Sequence, residues 1–386
     1  MFTRIITSVA LAAMCMCCSP KYVKPSASAD VQADGDAKVE FALDFFKKAN
    51  QTVKANENLI LSPYSAAVAL SMLEEGAEGQ TKAEFDDVLN GCLYPAENLG
   101  GDKNLKVSSA NSMWISDNFS VRNRYVSLLE KDYDAFVTTQ NFSDPATVKA
   151  INNWCSENTA GKITEIIDEL SPNDVMVLIN ALYFNAPWAE AFDEKNTMDD
   201  TFHAVGGDRT VKMMANAGKY EYTEYQGCQM VRLPYQGERY SMTIVLPPSG
   251  QSIDAMLPFV NGATFEAAMG ILVQRDVTVR MPKFRLETSL VLDKTLQKMG
   301  IQTAYSPAAD FSAISESGPL SLGTVKQKCY IDVTEKGTEA AAVTSAQIRL
   351  TSVSRPTIMA VNRPFLFFIS DSQTNNILFI GKVVNL

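Results

Sequence analysis

Few residues in this chain of 386 have the types and spacing that catalytic or metal sites need. The one histidine, His203, lies in a polar stretch, and no serine or cysteine nucleophile can be paired with it from the motifs around it. A zinc site would need ligands other than this single imidazole. Gly76 and Gly79 precede Gln80 and Thr81, so the Gly-Lys-Ser/Thr of a phosphate-binding loop is missing. We therefore expect no enzyme, no metal ion and no cofactor.

Seven cysteines could supply thiol chemistry, but their spacing forms no recognised site. Four of them lie far apart in the body of the chain and match neither a metal pattern nor a compact disulfide framework. We predict that they are buried thiols that pack as small hydrophobic side chains. These four are Cys92, Cys155, Cys228 and Cys329.

The first residues have the pattern of an export signal that ends in cysteine. A basic residue precedes an apolar stretch, 5–16, which is too short to span a bilayer and is followed by Cys17 and Cys18. This arrangement resembles a bacterial lipoprotein processing site, which implies that Cys18, or alternatively Cys17, is acylated. We expect a signal peptide over 1–18, a flexible tether over 19–38, and a membrane-anchored protein of the bacterial cell envelope, either periplasmic or at the cell surface. An ordinary secretion signal is the alternative, and it would make the protein secreted and extracellular.

The segment 335–361 carries the most unusual pattern in the chain. When it is given the two-residue period of a strand, one face is uniformly small and uncharged, while the other carries the charge and the amide. The small face consists of Thr338, Ala340, Ala342, Thr344 and Ala346. Gly337 lies at its base and can adopt backbone angles closed to other residues. Such a face suits a segment that enters a crowded sheet, although an Ala-rich helix or a mobile loop is an equally good interpretation of these residues alone.

Composition excludes some classes of binding partner. Of the 386 residues 46% are hydrophobic, and the formal net charge is −10 at pH 7. An acidic chain without a basic cluster is unsuited to nucleic acid or to anionic membrane surfaces. No Pro/Gly/Ser-rich linker follows about residue 38, so we predict a single domain over 39–386 in which helices and strands mix, an α+β fold.

Local patterns predict the elements of this domain. Ser62 and Pro63 indicate a helix start, Thr81 with Glu84 indicates a capping box, and 288–299 has helical spacing before a glycine. Apolar or alternating runs predict strands. These runs are 106–116, 175–184, 240–246, 277–281, 329–334, 365–369 and 377–384.

Five groups of motifs, in order along the chain, resemble the serpin family, the serine protease inhibitor superfamily. They are NLILSPYS at 58–65 with GAEGQT at 76–81, TAGKI at 159–163, LINALYFNAPW at 178–188, EKGTEAAA at 335–342, and NRPFLFFI at 362–369 with FIGKVVN at 379–385. The resemblance covers roughly 39–386. It implies helices packed on a large mixed sheet and smaller sheets, with an exposed reactive-centre loop over about 335–361.

The resemblance implies a suicide inhibitor of serine proteases, with cysteine proteases as a further target class. In such inhibitors a protease cleaves the exposed loop, and the hinge then inserts into the main sheet as an extra strand that carries the acylated protease with it. The implied hinge residues are Glu335, Gly337, Thr338, Ala340 and Ala342, and we expect Thr338 to be exposed before cleavage. The alternative is a non-inhibitory serpin-fold carrier or surface-binding lipoprotein, but the small hinge residues favour inhibition.

Further positions match family residues where the sheet opens. They are Lys283, Trp188, Ser62, Ser65, Asn180 and Gln327. The resemblance implies that Lys283 forms an ion pair with Glu335. Gln327 stands where the family often has histidine, and because glutamine can still donate and accept hydrogen bonds, we expect altered stability and not lost inhibition.

The reactive bond follows from counting along the loop. The family spacing from Glu335 gives the Thr351–Ser352 bond, which suits elastase-like proteases that accept small aliphatic residues. Counting back from the C-terminal motif gives Val353–Ser354, and Arg349–Leu350 would suit a trypsin-like protease. The expected partners are thus target proteases, bound by a monomer. The stretch 93–104 lacks the basic cluster of heparin-activated members, so no heparin-type cofactor is expected.

Overall fold

The computed structural model describes residues 29–100, 105–171, 173–338 and 357–386. Its α-helices are α1 (Ala29–Asn50), α2 (Pro63–Glu74), α3 (Gly79–Val88), α4 (Asn123–Asp132), α5 (Pro145–Asn158), α6 (Ile253–Met256), α7 (Gly262–Gly270) and α8 (Asp293–Met299). Its strands are β1 (Leu59–Leu61), β2 (Lys106–Ser116), β3 (Ala135–Gln140), β4 (Met176–Pro187), β5 (Met198–Ala204), β6 (Gly207–Tyr225), β7 (Cys228–Pro234), β8 (Tyr240–Leu246), β9 (Val273–Pro282), β10 (Phe284–Val291), β11 (Lys326–Thr334), β12 (Gly337–Thr338), β13 (Thr357–Ala360), β14 (Phe365–Asp371) and β15 (Ile377–Val383). None of the helices in these ranges combines the length and apolar character needed to span a membrane.

Two sheets organise the described residues. The first sheet has the strand order β10-β11-β12-β4-β2-β3, in which β2 and β3 are parallel and the other neighbours antiparallel. The second sheet has the order β1-β15-β14-β8-β7-β6-β9-β13, with β5 added beside β6. Helices and both sheets share one continuous hydrophobic cluster, so the architecture is the mixed α+β type that the sequence predicts.

The helix α1 contributes one buried face to this cluster. Phe41, Phe45 and Phe46 are each at most 1% exposed, and their spacing places them on one side of the helix. The helix starts at Ala29, inside the stretch that the sequence predicts as a tether. The tether prediction is therefore wrong for 29–38, because this stretch continues the helix that packs on the core.

The helix α2 starts as predicted and leads into the region of interest. Ser62 is its N-cap, with a side chain that accepts a hydrogen bond from Ser65 N, and Pro63 occupies the first turn. By contrast, the predicted capping box at α3 does not form. The Thr81 hydroxyl accepts instead from Asp310 N, and the Glu84 carboxylate from Thr303 N.

The helix prediction for 288–299 is wrong in its first third. Residues 288–291 belong to β10, where Thr288 lies opposite Cys329 and Leu290 opposite Gln327, and only α8 is helical. Pairing with β11 covers alternate side chains of this run, and that tertiary contact outweighs its helix-like spacing. The predicted strands at 106–116 and 240–246 are confirmed in full as β2 and β8.

Candidate functional site

The first sheet is joined at its centre by a strand of only two residues. Gly337 and Thr338 form β12, which pairs with β11 on one side and with β4 on the other. Thr338 lies opposite Val333 and Ala186 in the two ladders. Among the described residues no other ladder connects β4 to β11. We name the space between these two strands the β4–β11 slot; β12 occupies one end of it.

Gly337 is the residue that permits this close approach. Its φ is +146°, a backbone conformation that residues with a side chain rarely adopt. A Cβ at this position would lie 2.2 Å from the carbonyl oxygen of Ala186 and 2.6 Å from Cα of Pro187. The entry to the slot therefore has room for backbone alone at this residue.

Thr338 is buried, which corrects the expectation of an exposed hinge residue. Only 1% of the residue is accessible, and its hydroxyl lies 2.6 Å from the hydroxyl of Tyr235. Tyr235 stacks on Trp188 with ring centroids 4.5 Å apart and an interplanar angle of 8°. The reason for the difference is that the hinge has already begun to pair with both strands of the sheet, so its first side chain lies in the core.

An ion pair closes the same end of the slot. Lys283 Nζ lies 2.9 Å from Glu335 Oε2, and the Thr197 hydroxyl donates to Glu335 Oε1 at 2.8 Å. Burial would raise the pKa of the Glu335 carboxyl, but hydrogen bonds from Lys283, from its own backbone amide and from Thr197 together lower it below its ordinary value. Trp188 Nε1 donates to Thr334 O at 3.0 Å, and Trp188 N to Lys336 O at 3.0 Å. The turn before β12 is thus tied to the end of β4.

Gln327 holds the far end of β11 against the start of α2. Its Nε2 donates to Ser62 O at 2.8 Å, while its Oε1 accepts from Ser62 N at 3.1 Å. Ser65 N donates in turn to Ser62 Oγ at 3.2 Å. Burial raises the pKa of the nearby Cys329 thiol to about 12, opposed by a hydrogen bond with the Ser62 backbone. The structure therefore brings Ser62, Ser65 and Gln327 together.

Asn180 is bonded on the other side of β4. Its Nδ2 donates to Ser109 Oγ at 2.8 Å and to Asn111 Oδ1 at 2.6 Å, both on β2. Asn111 Nδ2 donates to Tyr133 O at 2.6 Å. This network fastens β4 to β2, so the side of β4 that faces the slot is backed by a strand that is itself anchored.

Several predicted residues lie outside the described residues. They are Cys17, Cys18, Ala340, Ala342, Arg349, Leu350, Thr351, Ser352, Val353 and Ser354. Within the described part, the predicted buried thiols are confirmed for Cys155 and Cys329, whereas Cys92 and Cys228 are half-buried. His203 is exposed on the hairpin between β5 and β6, where its Nδ1 lies 2.8 Å from Asp208 Oδ1.

Four residues of the site are not predicted from the sequence. They are Ser109, Asn111, Thr197 and Tyr235. No local pattern marks them, because each acts on a partner far along the chain. Tyr235 and Thr338, for example, are 103 residues apart.

Comparison with known proteins gives one consistent family. Residues 36–386 match the family model described as serpin (serine protease inhibitor). An uncharacterized serpin-like protein of Thermococcus kodakarensis is 33% identical over 384 residues, covering 94% of this chain and 89% of the relative. The native structure of the thermophilic serpin tengpin has a TM-score of 0.83 at 30% identity, covering 94% of this chain and 96% of tengpin. Human thyroxine-binding globulin complexed with thyroxine has a TM-score of 0.83 at 27% identity, covering 92% and 99%.

Proposed function

Because this chain belongs to the serpin family, we propose that it is a suicide inhibitor of serine proteases, with cysteine proteases as a further target class. The protease nucleophile attacks the carbonyl carbon of Thr351 and forms an acyl-enzyme. The peptide bond to Ser352 breaks, and the new amino group leaves with a proton taken from the protease. Before water can deacylate the enzyme, the cleaved hinge inserts into the β4–β11 slot and carries the protease away from its attack position.

The observation that carries this proposal is the position of β12. Two hinge residues already pair with β4 and β11, in the antiparallel register that further insertion would continue. The chain from 338 to 351 has fourteen residues, and at roughly 3.3 Å per residue it would extend over about 45 Å as a strand. A strand of that length would carry the acylated protease from one end of the sheet towards the other.

The preferred reactive bond is Thr351–Ser352, since insertion length is set from the hinge side. The alternatives are Val353–Ser354 and, for a trypsin-like protease, Arg349–Leu350. Incubation with a panel of elastase-like and trypsin-like proteases, followed by mass spectrometry of the released C-terminal peptide, identifies the bond. A peptide that begins outside 350–354 would contradict this assignment.

A denaturing gel tests the inhibitory mechanism. With an elastase-like protease, the wild type should give a detergent-resistant adduct. Thr338→Arg would place an unpaired charge in a buried position, at a cost of several kcal/mol against insertion, and should give cleaved inhibitor with active protease. Lys336→Arg is the control, because Lys336 is half-exposed beside Glu194 and keeps its charge. Trapping by Thr338→Arg at wild-type stoichiometry would contradict the mechanism.

One observation favours a second candidate, a non-inhibitory carrier. An apolar cavity of about 270 Å³ lies between α7 and the second sheet, and Met230, Met256, Phe265 and Phe368 are among its lining residues. Thyroxine-binding globulin, a structural neighbour, is recorded in complex with thyroxine. A carrier would bind an apolar aromatic ligand saturably and form no protease adduct, and the adduct assay therefore separates the two functions.

We also propose that the protein is a lipoprotein of the cell envelope, acylated on Cys18 or Cys17. The support is the short apolar stretch that ends in two cysteines. Replacing both with serine should release the protein from the membrane fraction, whereas Cys92→Ser should leave its partition unchanged. Membrane partition that survives loss of both cysteines would contradict the anchor.

A further inference from the structure

Two hydroxyl groups meet where the hinge enters the sheet. The Tyr235 and Thr338 oxygens are 2.6 Å apart, and the two residues are 0% and 1% exposed. Burial raises the pKa of Tyr235, opposed only in part by the bond with Thr338, so the phenol keeps its proton. In this dry position each hydroxyl depends on the other, since an unpaired buried polar group is costly.

The Tyr235 ring cannot easily turn away from this position. Trp188 stacks on one face at 4.5 Å, and Phe184 of β4 meets the ring edge-on with centroids 5.0 Å apart. Its neighbours in the chain are also fixed, since Gln236 N donates to Pro187 O and Ala189 N to Pro234 O, each at 2.9 Å. Tyr235, which follows β7, is therefore held rigidly against the end of β4.

Thr338 is held from the opposite direction by its own turn. β11 continues through Glu335 and Lys336 into β12, and the Trp188 indole and amide bind the carbonyls of Thr334 and Lys336. Besides the Trp188 indole, the hydroxyl pair is a second side-chain contact that closes this turn onto the residues at the end of β4. It thus fixes β12, which pairs with both β4 and β11, at the end of the slot where a new strand would enter.

We infer that Tyr235 is a positioning residue that keeps the hinge inserted by its first residue before any protease arrives. This inference rests on the proposed function. Forming the first contacts of an added strand costs backbone conformational entropy and gains few hydrogen bonds. A hinge that is already paired does not have to make this unfavourable step after acylation. Insertion then starts from the paired β12 and competes better with deacylation. The fraction of protease that is trapped rises as a result.

Three variants test this role. Tyr235→Phe keeps the ring stack and Thr338→Val keeps the side-chain shape, but each leaves one buried hydroxyl unpaired. The double variant removes both hydroxyls and should behave closer to the wild type than either single variant, because replacing both partners by apolar groups is nearly neutral. Tyr222→Phe is the control; this buried tyrosine bonds Glu224 and Gln229 in the second sheet instead.

Two measurements follow each variant. Hydrogen exchange of peptides covering 337–338 should be about fivefold faster or more in each single variant, the ratio that one lost hydrogen bond gives. The number of inhibitor molecules consumed per protease trapped should rise in parallel. In the double variant both values should return to within about twofold of the wild type, and Tyr222→Phe should change neither.

Distinct results overturn the inference and the proposed function. If the wild type traps protease but Tyr235→Phe consumes no more inhibitor, the inference is wrong and the proposed function stands. Unchanged exchange at 337–338 in Tyr235→Phe overturns the inference as well, since the hydroxyl pair then does not hold the hinge. A wild type that forms no adduct overturns the proposed function, and with it any role of Tyr235 in trapping.

Discussion

At the scale of single residues, Glu335 links the turn between β11 and β12 to Lys283 and Thr197. Its carboxylate is 7% exposed and binds Lys283 and Thr197, while its carbonyl accepts from Phe192 N at 2.8 Å. Because these partners outweigh burial, the pKa of Glu335 is lower in the folded protein than its ordinary value of 4.5. A lowered folded pKa stabilises the fold above the unfolded pKa, and this contribution is lost as the pH falls through the folded pKa.

Glu335→Gln should therefore lower the free energy of unfolding at neutral pH by about 1.5–3 kcal/mol, the range for hydrogen bonds to charged groups. The difference from the wild type should shrink as the pH falls below the ordinary value of 4.5. Urea unfolding across this pH range measures it. Glu287→Gln is a matched control in the same sheet, because Glu287 is half-exposed and its pair with Lys328 is worth little. An equal loss at all pH values would contradict the assignment.

Gln327 makes two hydrogen bonds to the backbone of one residue, Ser62. Gln327→Met keeps a similar shape but removes both buried hydrogen bonds to Ser62, whose carbonyl keeps only the bond from Ala66 N, so it should destabilise the protein by about 1–3 kcal/mol. Gln274→Met, at an exposed glutamine on β9, should change the unfolding free energy far less. If the two variants unfold alike, the contact with Ser62 does not hold β11 to α2.

At the scale of elements, β12 is the part of the fold on which the proposed trapping mechanism depends. Gly337→Ala should expel it from the slot, because the new methyl group meets backbone of β4 and no side chain can yield. Faster hydrogen exchange at 337–338 and a larger share of cleaved, untrapped inhibitor are expected. Gly207→Ala is the control, since Gly207 also has positive φ, +106°, but nothing lies within 4 Å of the added Cβ. Similar effects of both variants would show that backbone strain, and not the space at β4, matters.

Elements were predictable from the sequence where their burial pattern is simple. The continuous apolar runs of β4 and β8 have the strand signal in the residues themselves. The helix prediction for 288–291 is wrong because this run pairs with β11, whose residues are about forty positions away in the sequence. The resemblance, confirmed by the family match, predicts the pairing of Lys283 with Glu335. Tyr235 directly follows β7, and no pattern in the sequence indicates that it contacts β12. Its role depends on a tertiary contact, which local sequence cannot show.

At the scale of the whole molecule, the proposed mechanism requires that free energy is stored in an incomplete sheet. β4 is fixed to β2 through Asn180, and β11 is fixed to α2 through Gln327. Between these anchored strands the described residues provide only β12. Insertion of the cleaved loop would pair backbone groups along the rest of the slot and bury small side chains between them.

The direct test of this claim is the melting temperature before and after a single cut within 347–354. Scanning calorimetry on intact and nicked protein should show an increase of tens of degrees. At about 2–4 °C per kcal/mol for domains of about 150–250 residues, and less for a larger domain, that shift corresponds to several kcal/mol or more. Equal melting temperatures would contradict the account, because the intact protein would then already be in its most stable form and could not drive the trapping of a protease.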